Sequence, residues 1–354
     1  MADGLSAAIE YLLGQDRNRA SVTPAASRRR LRALRATPPG HAERGARRST
    51  FQSALEQCEQ FLNAARTAGY ATRPVHLFYA ISQGGRAMVA ASPRIENQAW
   101  RVHGHGLVLK SVASTTAESV LCSTGSGLFS SVARSLSMEP LAPNDPVALG
   151  DIWPNLPEAS SAPLVPDPVT PALPLDPKAS TFAKADLRAI PLHWKKALGD
   201  DQAKTLERVH AYPALREARL GSFPPMHRFE WRSDQDGLKI GLEWREPRQL
   251  GEGGSALFPD NRTIRDLGII PYRGANDLFV TPAVGSMGSG LHPLLALWAT
   301  LLALSSFARY EPAAWSKFID IDRSLEANAI EHILDEAVQS IPATLIHHLT
   351  SFAE

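Results

Sequence analysis

The chain has 354 residues, of which 44% are hydrophobic and 21% charged, with a net charge of +1. That is the composition of a globular protein with a sizeable core, and the small net charge excludes a molecule that holds nucleic acid by bulk charge alone. Two cysteines, Cys58 and Cys122, are too few for a disulfide framework or a four-cysteine zinc site and fit a reducing cytoplasm.

The charge is unevenly spread. Residues 1–50 hold ten Arg, no Lys and four acidic residues, a local +6, which leaves about −5 for the remainder (27 basic against 32 acidic). The opening "MADGLSAAIEYLLGQDRNR" lacks the basic and then apolar order of a signal peptide; residues 4–14 read as a short amphipathic helix. The Arg run that follows, "SRRRLRALRATPPGHAERGARRS", reads as an Arg-rich arm over 1–49. It can contact phosphates or stand as a solvated helix face.

From residue 50 the helical period is strong. Phe51, Leu55, Cys58, Phe61, Leu62 and Ala65 recur on one face, with Ser49 or Thr50 as the expected cap and Gly69 as the stop. Pro74 opens the next helix where a missing N–H costs little. The two helices are expected to pair as an antiparallel hairpin. On the second, His76, Tyr79, Gln83 and Arg86 fall on one stripe, and Gly84–Gly85 asks for a close neighbour, either a helix or a ligand.

Strands are expected at "HGLVLKSVA" and "ESVLC", with His103 and His105 on one side of the first, and a short helix at "LFSSVARSL". Residues 140–177 hold eleven prolines and read as a linker or surface loop, around an ordered turn at 147–157. Residues 180–210 look partly helical. "MHRFEWRS" and "LKIGLEWRE" bracket "DQDG" as a hairpin, and "IRDLGIIPY" and "DLFVTPAV" are further strands. Helices return at 291–308, 312–319, 323–339 and 342–352. The first is apolar enough to be weighed as a membrane span and reads as a core helix. The "HH" at 347–348 reads as a solvated face, and the glycine turns "TGSG" and "GSMGSG" read as flexible turns or as helix starts whose free N–H groups bind an anion.

Several of these segments together resemble the YaaC-like bacterial proteins: "FQSALEQCEQFLNAARTAGYATRPVHLFYAISQGGRAMVAA", "GHGL", "GSGLFSSVARSLS…LGDIWPNLPE" and "LHPLLALWATLLALSSFARYEPAAW". The resemblance covers roughly 50–157 and 280–350. Where that family tends to have Asn and Lys one turn apart, this chain has Gln83 and Arg86. The helical parts are more distantly similar to HEPN domains, but "RVHGH" has too short a spacer, and too much glycine, for the usual HEPN motif.

The fold expected is α+β and predominantly helical, a helical bundle of N- and C-terminal segments with a β-containing middle insert. The boundaries are 50–157, a Pro-rich linker at 158–179, a mixed middle at 180–282, and a C-terminal helical part at 283–354 packing on 50–90. The resemblance implies a cytoplasmic protein of mobile or defence gene neighbourhoods. Its partners would be RNA or DNA or a protein of the same system, with a homodimer compatible and no membrane, cofactor or metal. The residues it singles out are Arg73, Tyr79, Gln83, Arg309 and Tyr310 for binding, and His105 with Arg86 for catalysis. Three functions follow: a nucleic-acid-linked binding or accessory component, a metal-independent RNase with His105 as acid/base and Arg86 stabilising charge, or a protein–protein scaffold whose stripe is structural.

Overall fold

The computed structural model describes residues 24–110, 116–164, 170–176, 184–221, 230–234, 237–244, 269–273 and 277–353. The expected helix at 4–14 lies outside these residues, as does "MHRF". The described chain is α+β and predominantly helical, with ten α-helices and ten strands. In chain order they are α1 (Pro24–Ala36), α2 (Gly45–Thr67), α3 (Arg73–Ala91), β1 (Leu107–Lys110), β2 (Leu121–Thr124), α4 (Leu128–Ser135), β3 (Val147–Ala148) and α5 (Leu149–Ile152). There follow β4 (Leu173–Asp176), β5 (Lys184–Ile190), α6 (Leu192–Leu198), α7 (Gln202–His210), β6 (Ala218–Leu220), β7 (Arg232–Asp234), β8 (Gly237–Trp244), β9 (Ile270–Pro271) and β10 (Leu278–Val280). The chain ends in α8 (Pro293–Tyr310), α9 (Pro312–Phe318) and α10 (Ala327–Ser351).

α2 and α3 pack along their length, and α8, α10 and α4 close around α3. The apolar stripe of α2 (Phe51, Leu55, Cys58, Leu62, Ala65) meets Leu77, Ile81 and Met88 of α3 in one large core that also takes in nearly all of α8. Every residue from Leu291 to Phe307 is buried, so the most apolar helix spends its hydrophobicity inside the fold. The glycine pair serves this packing. A Cβ on Gly85 would lie 2.6 Å from the Trp298 ring and 3.0 Å from Val132, and one on Gly84 would overlap the Leu345 methyls. Three helices thus approach α3 more closely than any side chain at 84–85 would allow.

A second core belongs to the antiparallel seven-stranded sheet, ordered β6-β8-β5-β4-β10-β9 with β7 also on β8, and to α6 and α7 through Trp194, Val209 and Tyr212. A three-stranded antiparallel sheet, β1-β2-β3, flanks the helices.

Several local expectations are corrected. α2 begins at Gly45, with Arg44 as its extended cap, so neither Ser49 nor Thr50 caps it. Part of the proline-rich stretch is ordered sheet. β4 pairs with β10 at Pro174↔Phe279, while β5 pairing starts only at Leu175, so the proline nitrogen has an unpaired side to face. Earlier in the expected linker, Ala159, Ala162 and Leu164 lie in the main core, while 165–169 and 177–179 lie outside the described residues. The 180–210 segment is partly helical as expected, in α6 and α7, but Lys184–Ile190 within it is strand β5, held by β8 despite helix-forming residues. α10 runs unbroken through Pro342, where separate helices were expected, and His348 on it is buried rather than solvated. The Arg-rich segment from Pro24 to Ala36 is docked helix. Arg28 (3.4 Å) and Arg32 (3.0 Å) meet the buried Glu59 of α2, and Leu31 joins the core.

The packing predicts that Gly85→Ala destabilises the protein by about 1–3 kcal/mol, the usual cost of an overpacked core. Gly69→Ala, whose added Cβ meets nothing within 4 Å, should shift stability by no more than about 0.5 kcal/mol. Urea denaturation of the two variants beside the wild type checks both.

Candidate functional site

α3 has two faces. Its buried side carries the glycines. On its outer side Tyr79 remains 38% exposed and stacks on Phe61 of α2, ring centroids 5.3 Å apart. Phe78 beside it is buried yet central. The His105 ring meets its edge at 5.9 Å, and the Arg309 guanidinium lies 5.6 Å from its centre. Arg309 also lies 4.8 Å from the ring of Tyr310, which is 67% exposed. Such cation–π contacts are worth about 0.5–1 kcal/mol each where solvent reaches them. They hold the cation in a fixed place, helped by Arg309 Nε donating to the Ser305 carbonyl at 3.1 Å. Arg309 makes no ion pair among the described residues.

Two glycine motifs place His105. Gly104 and Gly106 adopt φ of +72° and +74°, the left-handed region. Gly106 and Gly127 touch backbone to backbone, since a Cβ on Gly106 would sit 2.8 Å from Gly127 Cα. The carbonyls of Gly104 and His105 then accept from Leu128 N (3.3 Å) and Phe129 N (2.9 Å), capping α4. "GHGL" and "TGSGL" are therefore two halves of one backbone lock, and this helix start is occupied by protein carbonyls rather than open to an anion. Residues 101–106 are irregular, so His103 and His105 are not neighbours on a strand as expected. Among the described residues no group of His, Cys, Asp and Glu could hold a metal. The other glycine turn, 285–290, leads to α8, whose first turn is capped by His292 Nδ1 accepting from Leu294 N at 3.0 Å.

Arg86 joins the same region by donating from Nη1 to the Val102 carbonyl at 2.9 Å, which ties the His105 segment to α3. Gln83 stands one turn before Arg86 and one turn after Tyr79, half-buried. Arg73 is committed elsewhere. It pairs with Asp335 of α10, donates to Ala68 O at 3.0 Å and lies over the Tyr70 ring, whose hydroxyl also reaches Asp335 at 2.8 Å. Tyr79, His105 and Arg309 thus meet at Phe78 with Tyr310 packed on Arg309, Arg86 and Gln83 extend the row along α3, and Arg73 braces the far end. Phe78 and Phe61 are the members that residue-type reasoning overlooked, because phenylalanines on a helix are ordinarily core.

Partial burial against Phe78, and next the Arg309 charge, push the His105 pKa below its ordinary 6.5. Its Nδ1 accepts from Leu107 N at 3.2 Å, so the neutral ring carries its proton on Nε2. His105 is thereby a hydrogen-bond donor at neutral pH. The unfolded chain takes up the proton first, so this group's contribution to stability falls as pH drops below about 6.5 and levels off below the folded pKa. NMR titration should find His105 titrating below 6.5 and moving upward in Arg309→Leu; an unmoved pKa would separate the two residues.

No curated protein and no solved structure matches the chain. One family description, YaaC-like Protein, matches residues 19–349, a span that includes the docked α1 and the whole middle region as well as the helical motifs. The HEPN arrangement of Arg, spacer and His on one helix is not formed at 101–105, where the backbone is irregular. The glycine lock, the polar stripe of α3 and the helix ending in "ARYEP" all lie within that matched span, and the chain belongs to the YaaC-like family.

Proposed function

We propose that this protein is a cytoplasmic, nucleic-acid-linked binding or accessory component that takes a single strand across the Tyr79–His105–Arg309–Tyr310 face. The defence setting rests on the family resemblance alone. The observation that carries the reading is Arg309, a cation fixed against Phe78 and Tyr310 without an ion pair among the described residues. Beside it stand two exposed tyrosines and a histidine that donates from Nε2. Bases stack on exposed aromatic rings for about 1–3 kcal/mol each, and a positioned guanidinium takes the phosphate between them. Arg86 and the exposed Arg29 and Arg30 of α1 supply further positive charge to the molecule.

The RNase reading gains one observation, the depressed His105 pKa beside Arg309. It is weakened by another, because Nδ1 is already engaged by Leu107 N–H and the ring cannot accept a proton there without losing that bond. Arg86 spends one nitrogen on Val102, which suits a positioning role.

Fluorescence anisotropy with short labelled RNA and DNA, single- and double-stranded, tests the proposal. Single strands should bind with an affinity that falls as salt rises, and Tyr79→Ala and Arg309→Ala should each weaken binding about tenfold. Product analysis of the same RNA samples should show intact strands. A folded wild type that binds none of them would overturn the proposal in favour of a scaffold, and cleavage lost in His105→Ala would replace it with the RNase.

A further inference from the structure

We propose that the groove along α4 is a second site, which binds a nucleoside phosphate. A solvent-open groove of about 540 Å³ lies there, lined by Arg94, Ser130, Arg134, Ser137, Met138 and Glu139 among others. That volume is in the range of small-ligand sites, about 300–1,000 Å³. None of these residues belongs to the aromatic–cationic face, so the site does not depend on the function proposed above.

The charges are arranged for an anion. Arg94 follows the end of α3, and its Nη1 donates to the Ser135 carbonyl at 3.4 Å on the groove side of α4. Arg134 stands exposed on the last turn of α4. Neither makes an ion pair among the described residues, and Glu139, on the same lining, is within 4.0 Å of neither. Both guanidinium groups line this one groove, and the paired donors of arginine match phosphate oxygens.

The backbone adds a second sign. α4 ends with Ser137 N donating to Arg134 O (3.0 Å) and Met138 N donating to Ala133 O (2.9 Å), a closure that puts residue 137 in the left-handed region. Glycine is the usual occupant; here it is Ser137 at φ +58°. The strain keeps a hydroxyl on the cavity wall where glycine would be more stable. Ser130 offers another, its proton donated to Gly125 O at 3.2 Å and its lone pairs left for a ligand. Met138 gives an apolar wall for a base, and Glu139 an acceptor for sugar hydroxyls. Arginine pair, hydroxyls, one carboxylate and an apolar wall match phosphate, sugar and base together.

Isothermal titration with the four ribonucleoside 5′-monophosphates, and separately with inorganic phosphate, tests this on the full chain. At least one nucleotide should bind saturably and more tightly than phosphate. Arg134→Ala, and Arg94→Lys which keeps the charge but not the fork, should each weaken it about tenfold. Ser137→Gly should raise thermal stability and leave the fold intact while lowering affinity. Oligonucleotide binding at the Tyr79 face should be unchanged in Arg134→Ala. No binding of any nucleotide, equal affinity for bare phosphate, or full affinity in both folded arginine variants would each overturn the proposal.

Discussion

The close approach of Trp298 and Leu345 to the glycine pair of α3 governs the rest of the molecule. It lets α8, α10 and α4 share one short stretch of α3 backbone, and it allows a helix as apolar as α8 to be enclosed on every side. Segments far apart in the sequence are joined there. With both sides of the 84–85 turn occupied by protein, the polar residues of α3 are left only its remaining side, and there they emerge as a row.

That division explains the mixed character of "RPVHLFYAISQGGRAM". Its glycines belong to the core, and its polar stripe belongs to the surface with one foot buried. Arg73 at one end is neutralised by Asp335 and fixes α3 to α10. Arg86 at the other end grips the loop that carries His105. Between them Phe78 supplies a ring against which a histidine and an arginine from two distant segments come to rest. The backbone lock between Gly106 and Gly127 sets the loop, and the end of α8 sets Arg309, so the face is assembled from three independently rigid pieces. A surface built that way is preorganised, which lowers the ordering cost of whatever binds it.

The sequence revealed the parts of this where local chemistry and tertiary structure agree. The α2 stripe, Pro74 and Pro312 at helix starts, and the hairpin around β7 and β8 are cases where period and turn residues point the same way. It misled where pairing overrode local preference. "AKADLRAI" favours helix, and its strand alternation is broken by a register shift between Leu187 and Ile190, with Ala189 at φ +48°, yet β8 and β4 hold it in the sheet. Pro174 and Pro342 both argued for breaks. One sits where a strand lacks a partner on one side, and the other is carried by the burial of its neighbours. His348 gave no sign of burial because the His292 ring that packs against it, 5.2 Å away, comes from the start of α8, far off in the sequence. For the site, the stripe was legible from spacing and the loop histidine from the family motif. What no spacing could show was that Arg309 and His105 meet at Phe78, since that depends on how α8 crosses α3.

The central claim is that the glycines exist for helix packing, and a double-mutant cycle between Gly85 and Trp298 tests it most directly. Gly85→Ala, Trp298→Leu and the double variant are compared by equilibrium denaturation. If the Trp298 ring is what excludes a side chain at 85, shrinking it makes room, and the double variant should recover at least about 1 kcal/mol relative to the sum of the single losses. Strictly additive losses would mean that the two residues do not compete for the same space, and the account of α3 as a two-faced hub would fail.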